Sequence, residues 1–170
     1  METLENTLPK IDGADVRYYQ GKEDHPAMIE MYNLIAEHAD VSERETEENF
    51  DANYANLRNC NPYEDVILAE VGGQLAATAR VAWYEEMDGT YVYPTIIAIH
   101  PDWHGTPLAE AMLDWAMGRA RQISAGHPAE VQKFYQGGGS ETQTARLAML
   151  ERYGYEPVRY WYEMYRDLSQ

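Results

Sequence analysis

Cysteine, basic side chains and long apolar runs are scarce in this chain of 170 residues, and each shortage excludes a class of protein. The single cysteine, Cys60, excludes an internal disulfide and a metal site built from several cysteines. Lys and Arg number 13 against 29 Asp and Glu, and the formal net charge of −16 argues against nucleic acid or an anionic membrane surface as partner. No apolar stretch could span a bilayer, and the first residues lack a signal-peptide pattern. We therefore expect a cytoplasmic protein whose partner is cationic or carries amines.

What remains is the composition of an ordinary soluble globular protein, with 45% hydrophobic and 25% charged residues. A chain of this length favours one domain over residues 1–170, large enough for a real core. Residues 1–12 carry few apolar side chains, so we expect a loose arm there.

One stretch, 95–108, organises the rest of the chain. Thr95 to Ile99 is β-branched and apolar, which predicts a buried central strand. Pro101 ends that strand, because proline cannot donate to the ladder. Thr106 and Pro107 then predict a helix start, with the threonine as N-cap and the proline at the first helical position. A strand that ends at an open helix N-terminus is a natural site for an anion.

The remaining periodicities predict strands and helices in a mixed order. The strands are expected over 16–19, 66–71, 74–84, 91–99, 131–135 and 158–167, and the helices over 24–39, 47–57, 108–126 and 141–153. Gly72-Gly73 between two apolar runs indicates a tight hairpin turn. This order is typical of an α/β fold with a mixed sheet.

Three pieces of the chain together resemble the GNAT superfamily of acyl-CoA-dependent N-acetyltransferases. Residues 66–78 are similar to the second and third strands of that family, and 97–105 (Ile-Ala-Ile-His-Pro-Asp-Trp-His-Gly) to its fourth strand and pyrophosphate loop. Residues 150–159, with the Gly154-Tyr155 pair, resemble the last helix and its exit. Residues 164–168 also resemble the end of the first half of tandem, mycothiol-synthase-like members.

The resemblance implies a central, mostly antiparallel twisted sheet flanked by about four helices, with acetyl-CoA as cosubstrate and no metal. It implies that backbone N–H groups of the cofactor-binding residues Ile97, Ala98 and Ile99 hold the thioester and the pantetheine arm. The pyrophosphate would face the main chain of the loop and helix start at His104, Gly105, Thr106, Leu108 and Ala109.

Two side chains are candidates for the proton transfers of amide formation. Glu85, beside Glu86, stands at a strand end and could reach an amine through water, although such a pair is more often a solvated turn. Tyr153 lies one turn from Leu150, which occupies the position where many members carry a tyrosine acid. The alternative reading places Tyr153 in the core.

The resemblance implies an N-acetyltransferase that acylates a primary amine by direct attack, on a small or peptide amine of cationic character. The alternative is a degenerate, non-catalytic GNAT-fold binding module, for which one form is the first half of a tandem protein. His104, Pro107, Glu110 and Leu150 favour that alternative, because they differ from the usual phosphate-loop and acid residues. The glycine run 137–139 is expected to form a mobile loop beside the acceptor cleft. The aromatic tail after it suits an edge strand or a homodimer contact.

Overall fold

A computed structural model describes residues 7–162, and its centre is one six-stranded sheet. The strands in chain order are β1 (Ala14–Tyr18), β2 (Val66–Val71), β3 (Gln74–Val81), β4 (Tyr84–Glu85), β5 (Tyr91–Ile99) and β6 (Lys133–Gln136). The helices are α1 (His25–His38), α2 (Glu47–Ala55), the one-turn α3 (Pro62–Asp65), α4 (Leu108–Ser124) and α5 (Thr144–Arg152).

The sheet is mostly antiparallel. Strands β1, β2, β3 and β5 are neighbours in that spatial order, and each adjacent pair is antiparallel. Strand β4 pairs antiparallel with the first residues of β5, and β6 pairs parallel with the opposite edge of the same segment. The predicted mixed α/β class with a mostly antiparallel sheet is therefore confirmed.

The hairpin predicted at Gly72-Gly73 joins β2 to β3 at the expected place. Both glycines have positive φ, 61° and 83°, as a two-residue turn that follows the strand twist requires. The strand expected over 74–84 is shorter than predicted, because β3 ends at Val81 and β4 begins only at Tyr84. The break at 82–83 lets the chain pair with two successive parts of β5.

Helix α4 covers one face of the sheet, and its apolar stripe explains why. Its buried side chains recur at helical spacing and join the inward residues of β3 and β5 in the larger core cluster. They are Leu108, Met112, Leu113, Trp115, Ala116 and Ala120. Ile97 and Ile99 belong to the same cluster, so the helix and the end of β5 are fixed against each other.

Helices α1 and α2 cover the opposite face. Met28 and Met31 of α1 and Phe50 of α2 pack on the second core cluster, which includes Ala98 of β5. The N-cap of α2 is Thr46, whose side chain accepts a hydrogen bond from Asn49 N at 3.3 Å. Because successive side chains of a strand alternate between faces, residue 98 faces α1 while its neighbours face α4.

The ends of the chain differ from expectation. Leu8 and Ile11 pack against the larger core cluster, so residues 8–11 are not a loose arm; the preceding residues 1–6 lie outside the described part. The strand predicted over 158–167 is absent from its described portion, 158–162, where Trp161 is 88% exposed. Residues 163–167 lie outside the described residues. No helix in residues 7–162 has the length and apolarity to cross a membrane.

Candidate functional site

A gap opens in the sheet where β6 separates from β5. The parallel register runs from Tyr91 opposite Lys133 to Pro94 opposite Gln136, and it stops there. Strand β5 continues through Ile99, whereas the segment after β6 leaves the sheet as the glycine run 137–139. We call this opening the notch: the edge of β5 over 95–99 together with residues 137–139 that face it.

The backbone of β5 presents alternate residues to the notch. Tyr91 N donates to Gln132 O at 2.9 Å on the β6 side, and His100 N donates to Ala76 O at 2.9 Å on the β3 side. Hydrogen-bonding direction alternates along a strand, so Ile97 and Ile99 turn their N–H and C=O groups to the notch. The expectation for Ala98 is thereby corrected: its main-chain groups face β3, opposite Thr78.

The notch is crossed by the side chain of Arg146, which comes from α5. Its guanidinium donates to Ile97 O on one wall, and its Nε donates to Gly138 O on the other at 2.5 Å. Burial lowers the pKa of Arg146, and the phenol of Tyr32 on α1 opposes that effect. The group still carries its charge at neutral pH, because an arginine titrates so high.

Two glycines of the run, Gly137 and Gly139, lie close to side chains of α5. A Cβ at Gly137 would come within 3.0 Å of the Leu150 side chain, and one at Gly139 would lie 3.1 Å from Cδ of Arg146. Larger residues at 137 or 139 would therefore require the side chains of α5 that contact them to shift. Gly138 has open space around it, and the predicted mobile loop beside the acceptor cleft stays a prediction.

A pair of hydroxyls closes the inner end of the notch. Thr95 Oγ1 lies 2.9 Å from the Tyr155 hydroxyl and donates to Gln136 O at 3.2 Å. Burial raises the pKa of Tyr155 above its ordinary value. The tether fixes the exit of α5 to the point where β5 and β6 part.

The loop after β5 is folded tightly on itself. His104 Nε2 donates to Ile99 O at 3.2 Å, so a second notch carbonyl is bound by a side chain. The main-chain N–H groups of His104 and Thr106 donate within the loop to Pro101 O and Trp103 O. These two predicted cofactor residues therefore have no main-chain N–H to offer. The Thr106 hydroxyl also donates to Trp103 O, at 2.8 Å, so it does not cap α4 as predicted.

Helix α4 begins at Leu108, with Pro107 as its N-cap. Its first helical hydrogen bond joins Ala111 N to Pro107 O at 3.0 Å, so the N–H groups of Leu108 and Ala109 point out of the helix end. The side chain of Leu108 is buried, and its contribution to a ligand is limited to the backbone. The loop at 100–107 connects the end of β5, which borders the notch, to this helix N-terminus.

A cleft of about 610 Å³ lies between α1, α2 and the segment that joins them. Its lining is mixed in polarity, and the polar residues in it are Tyr32, Asn33, Glu43, Arg44, Glu45, Asn49 and Asn53. The Tyr32 hydroxyl lies 3.0 Å from Thr78 Oγ1 on β3, so one wall of the cleft is tied to the sheet beside β5. Because the same phenol influences the pKa of Arg146, the cleft and the notch are neighbours.

A buried hydrogen-bonded chain holds α1 and α2 together on this side of the sheet. The Tyr19 hydroxyl lies 2.5 Å from His25 Nε2, and His25 Nδ1 lies 2.5 Å from Asp51 Oδ1. Lys22 pairs with the other oxygen of Asp51 at 2.6 Å. Burial first, then nearby Tyr63 and carboxylates, raises the pKa of Tyr19 to about 12.

Neither predicted catalytic side chain lies at the notch. Glu85 pairs opposite Tyr91, six residues before Ile97, which is roughly 20 Å along the strand. It is exposed and accepts a hydrogen bond from the Tyr91 hydroxyl. Burial and a hydrogen bond to Asp114 of α4 raise the pKa of Tyr153 to about 12, so that phenol faces α4 rather than the gap.

Sequence reasoning missed Arg146, the side chain that the fold brings into the notch. Its helix was predicted, but an arginine in a short polar helix is indistinguishable in sequence from a solvated one. The useful signal was the glycine run, since small residues mark places where another chain segment approaches closely. Among residues 7–162, no group of three or more His, Cys, Asp or Glu is arranged to hold a metal ion.

Comparison with known proteins agrees with this geometry. Residues 26–155 match the model of the Acetyltransferase (GNAT) family, whereas comparison with curated protein sequences finds no match. The GCN5-related N-acetyltransferase from Sphaerobacter thermophilus superposes with a TM-score of 0.73 at 23% identity, over 90% of this chain and 46% of that one. This chain therefore spans less than half the length of that relative.

Two further solved structures share the fold at similar length. A predicted acetyltransferase from Clostridium acetobutylicum, solved with acetyl-CoA, has a TM-score of 0.64 at 16% identity and covers 89% of this chain and 96% of its own. The aminoglycoside acetyltransferase meta-AAC0020, from an uncultured soil metagenomic sample, has a TM-score of 0.61 at 11% identity. The superposition covers 91% of this chain and 98% of that one. Since the family match spans well over half of the sequence and the architecture agrees, the chain belongs to the GNAT acetyltransferase family.

Proposed function

We propose that this protein is an N-acetyltransferase that transfers the acyl group of acetyl-CoA to a primary amine by direct attack. The observation that carries the proposal is the edge of β5, where Ile97 and Ile99 direct backbone N–H groups into a gap that no strand of residues 7–162 fills. Backbone donors aimed at a carbonyl stabilise the charge that develops when an amine attacks it. The structural relative solved with acetyl-CoA supports the choice of donor.

The proposed donor site continues from the notch to the start of α4. The N–H groups of Gly105, Leu108 and Ala109 are the candidates for the pyrophosphate, because those of His104 and Thr106 are bonded inside the loop. The positive end of the helix dipole favours an anion there. The proposed pyrophosphate site therefore has fewer main-chain N–H groups than the sequence predicted.

The proposed acceptor site is the cleft between α1 and α2. Its Glu43 and Glu45, together with the net charge of −16, favour a cationic acceptor over an anionic one. Tyr32 connects this cleft to the notch, so an amine held there would approach the thioester from the α1 side. A structural relative named as an aminoglycoside acetyltransferase supports an acceptor that carries amines.

A second candidate function is a binding module without turnover. One observation favours it: the Arg146 guanidinium bridges Ile97 O and Gly138 O, across the space that a pantetheine arm would use. Leu150 beside Gly137 also supplies no proton to a leaving group. The homodimer suggested by the aromatic tail stays a prediction, as does the single domain.

The experiment that separates these functions is thiol release. Purified protein is incubated with acetyl-CoA and a panel of polyamines, aminoglycosides and basic peptides, and free thiol is measured against time. Protein-dependent release with at least one amine supports the enzyme, and mass spectrometry of the amine then shows the added acetyl group. Saturable binding of acetyl-CoA without release for any amine would support the binding module.

A further inference from the structure

The notch holds the positive charge of Arg146, which no carboxylate of residues 7–162 pairs with. Within residues 7–162 the ion pairs of Arg17, Lys22, Arg119, Arg152 and Arg159 all involve carboxylates, and Arg146 takes part in none. The Arg146 guanidinium donates to two neutral carbonyl oxygens, those of Ile97 and Gly138.

That arrangement is costly for folding. The Arg146 side chain is partly buried, so it loses some hydration that neutral acceptors only partly replace, and the chain is rich in acidic residues that could have paired with it. An anion attracts a guanidinium by a direct interaction between opposite charges, which a neutral carbonyl does not offer, and it can accept the same charge-assisted hydrogen bonds. An anion that arrives in the notch would therefore displace the carbonyls as the preferred partner.

The proposed reaction produces such an anion at this place. The amine nitrogen forms a bond to the thioester carbonyl carbon, and the carbon–sulfur bond then breaks with both electrons on sulfur. The nitrogen loses its extra proton to water in the cleft. The sulfur leaves as a thiolate, which takes a proton from solvent after it departs.

We infer that Arg146 binds the sulfur of the acyl donor and holds the departing thiolate as an anion, so that turnover needs no acid side chain in the notch. The inference rests on the proposed function and adds a leaving-group role to it. The neighbouring Leu150 has no proton to give, and Tyr153 faces Asp114 of α4. The glycines at 137 and 139 then serve to let α5 bring the guanidinium up to β5.

The position of Arg146 fits a leaving group better than a phosphate. It bonds the carbonyl of Ile97, two residues deeper in the gap than Ile99, where the loop toward α4 begins. The phosphate candidates at the start of α4 lie beyond that loop. The charge is thus placed at the inner part of the notch, beside the acceptor cleft.

The test compares Arg146→Gln, Arg146→Lys and the control Arg58→Gln, which removes the same charge at an exposed site. We expect Arg146→Gln to lower kcat about a hundredfold with the KM for acetyl-CoA unchanged or reduced, as for loss of one transition-state donor. Arg146→Lys should retain most of kcat, and Arg58→Gln all of it. Circular dichroism and thermal melting confirm that each variant is folded.

A second readout does not depend on turnover. The protein is mixed with CoA, and the thiolate is titrated by its ultraviolet absorbance. The bound thiol of wild type should have a pKa at least one unit below that of free CoA, and Arg146→Gln should abolish the difference. If Arg146 had only a structural role, the pKa of the bound thiol would be the same in wild type and in Arg146→Gln.

The outcomes separate the two proposals. Wild type that shifts the thiol pKa through Arg146 but releases no thiol supports the binding of sulfur by Arg146, and overturns the proposed function together with the leaving-group role. Wild type that turns over while Arg146→Gln keeps kcat within threefold overturns this inference alone. A rise in kcat/KM for Arg146→Gln would show that the arginine only obstructs the notch. Wild type that does not bind CoA overturns both.

Discussion

The guanidinium of Arg152 binds the carboxylate of Glu110 at 2.5 Å, so the end of α5 neutralises an acid in the first turn of α4. A carboxylate at that position suits the helix dipole but repels a phosphate. The ion pair with Arg152 reduces that repulsion, but it also engages a cation that could otherwise attract a phosphate. In the proposed donor site, Glu110 would therefore compete with the pyrophosphate for Arg152.

The first prediction is that Glu110→Gln binds CoA more tightly than wild type. The change removes a negative charge near the proposed pyrophosphate site and releases Arg152, so we expect a gain of about 0.3–1 kcal/mol, or about two- to fivefold in Kd. Isothermal calorimetry measures it. Glu141→Gln, at an exposed position before α5, is the matched control and should bind as wild type does. Equal affinities for all three proteins would show that the pyrophosphate does not lie at this helix end.

The second prediction concerns the buried chain between α1 and α2. Tyr19→Phe removes the hydroxyl 2.5 Å from His25 Nε2 and leaves a buried ring nitrogen without its partner. We expect a loss of about 1–3 kcal/mol in the free energy of unfolding, measured by urea denaturation. Tyr63→Phe, in the same aromatic cluster but 59% exposed, should change stability little. Equal stabilities for the two variants would contradict the assigned hydrogen bond.

The third prediction is a pH dependence. Burial first, then the charge of Lys133, lowers the pKa of His127, whose Nδ1 lies 2.6 Å from the Tyr93 hydroxyl. The unfolded chain binds that proton near the ordinary value of 6.5, whereas the folded chain resists it. Stability from His127 is therefore fully present above the unfolded pKa and is lost as the pH falls below that value and through the lower folded pKa.

His127→Gln should remove this acid-dependent loss. Urea denaturation of wild type and variant is compared at about pH 7.5 and about pH 5.5, on either side of the unfolded pKa. We expect the variant to lose less unfolding free energy between the two pH values than wild type loses. An equal or larger loss in the variant would refute a depressed pKa at this histidine.

The fourth prediction concerns the single cysteine. Burial raises the pKa of Cys60 to about 11 from 9.0, so the folded protein has roughly a hundredfold less thiolate than the unfolded chain at mildly alkaline pH. Alkylation by iodoacetamide, followed by mass spectrometry, should be slow for native protein and rapid in urea. Similar rates in both conditions would show that the thiol is not desolvated.

The sequence predicted most of the scaffold because local patterns determine it. The β-branched run ending at Ile99 and the glycine pair at 72–73 predicted β5, β2 and the turn after β2 with correct bounds, whereas β3 ends three residues before the predicted position. The N-cap of α4 was misassigned, because Thr106 has the right chemistry but its hydroxyl bonds backward to Trp103. Which of two nearby groups accepts a hydrogen bond depends on loop geometry that spacing does not reveal.

The notch was harder to predict than the strand that borders it. The direction of the Ala98 main chain depends on its register with β3, and a change of one residue would exchange its role with that of Ile97. The place of Arg146 depends on how close α5 comes to β5, which the glycine run permits but does not specify. Glu85 was chosen by its position at a strand end, and the register then placed it far along β5 from the notch.

The central claim is that the open edge of β5 receives acetyl-CoA. Its most direct test is a calorimetric titration of the wild-type protein with acetyl-CoA at low salt. We expect saturable binding with a Kd below about 1 mM, which corresponds to a binding free energy of more than about 4 kcal/mol. A weaker Kd, or no heat of binding, would contradict it.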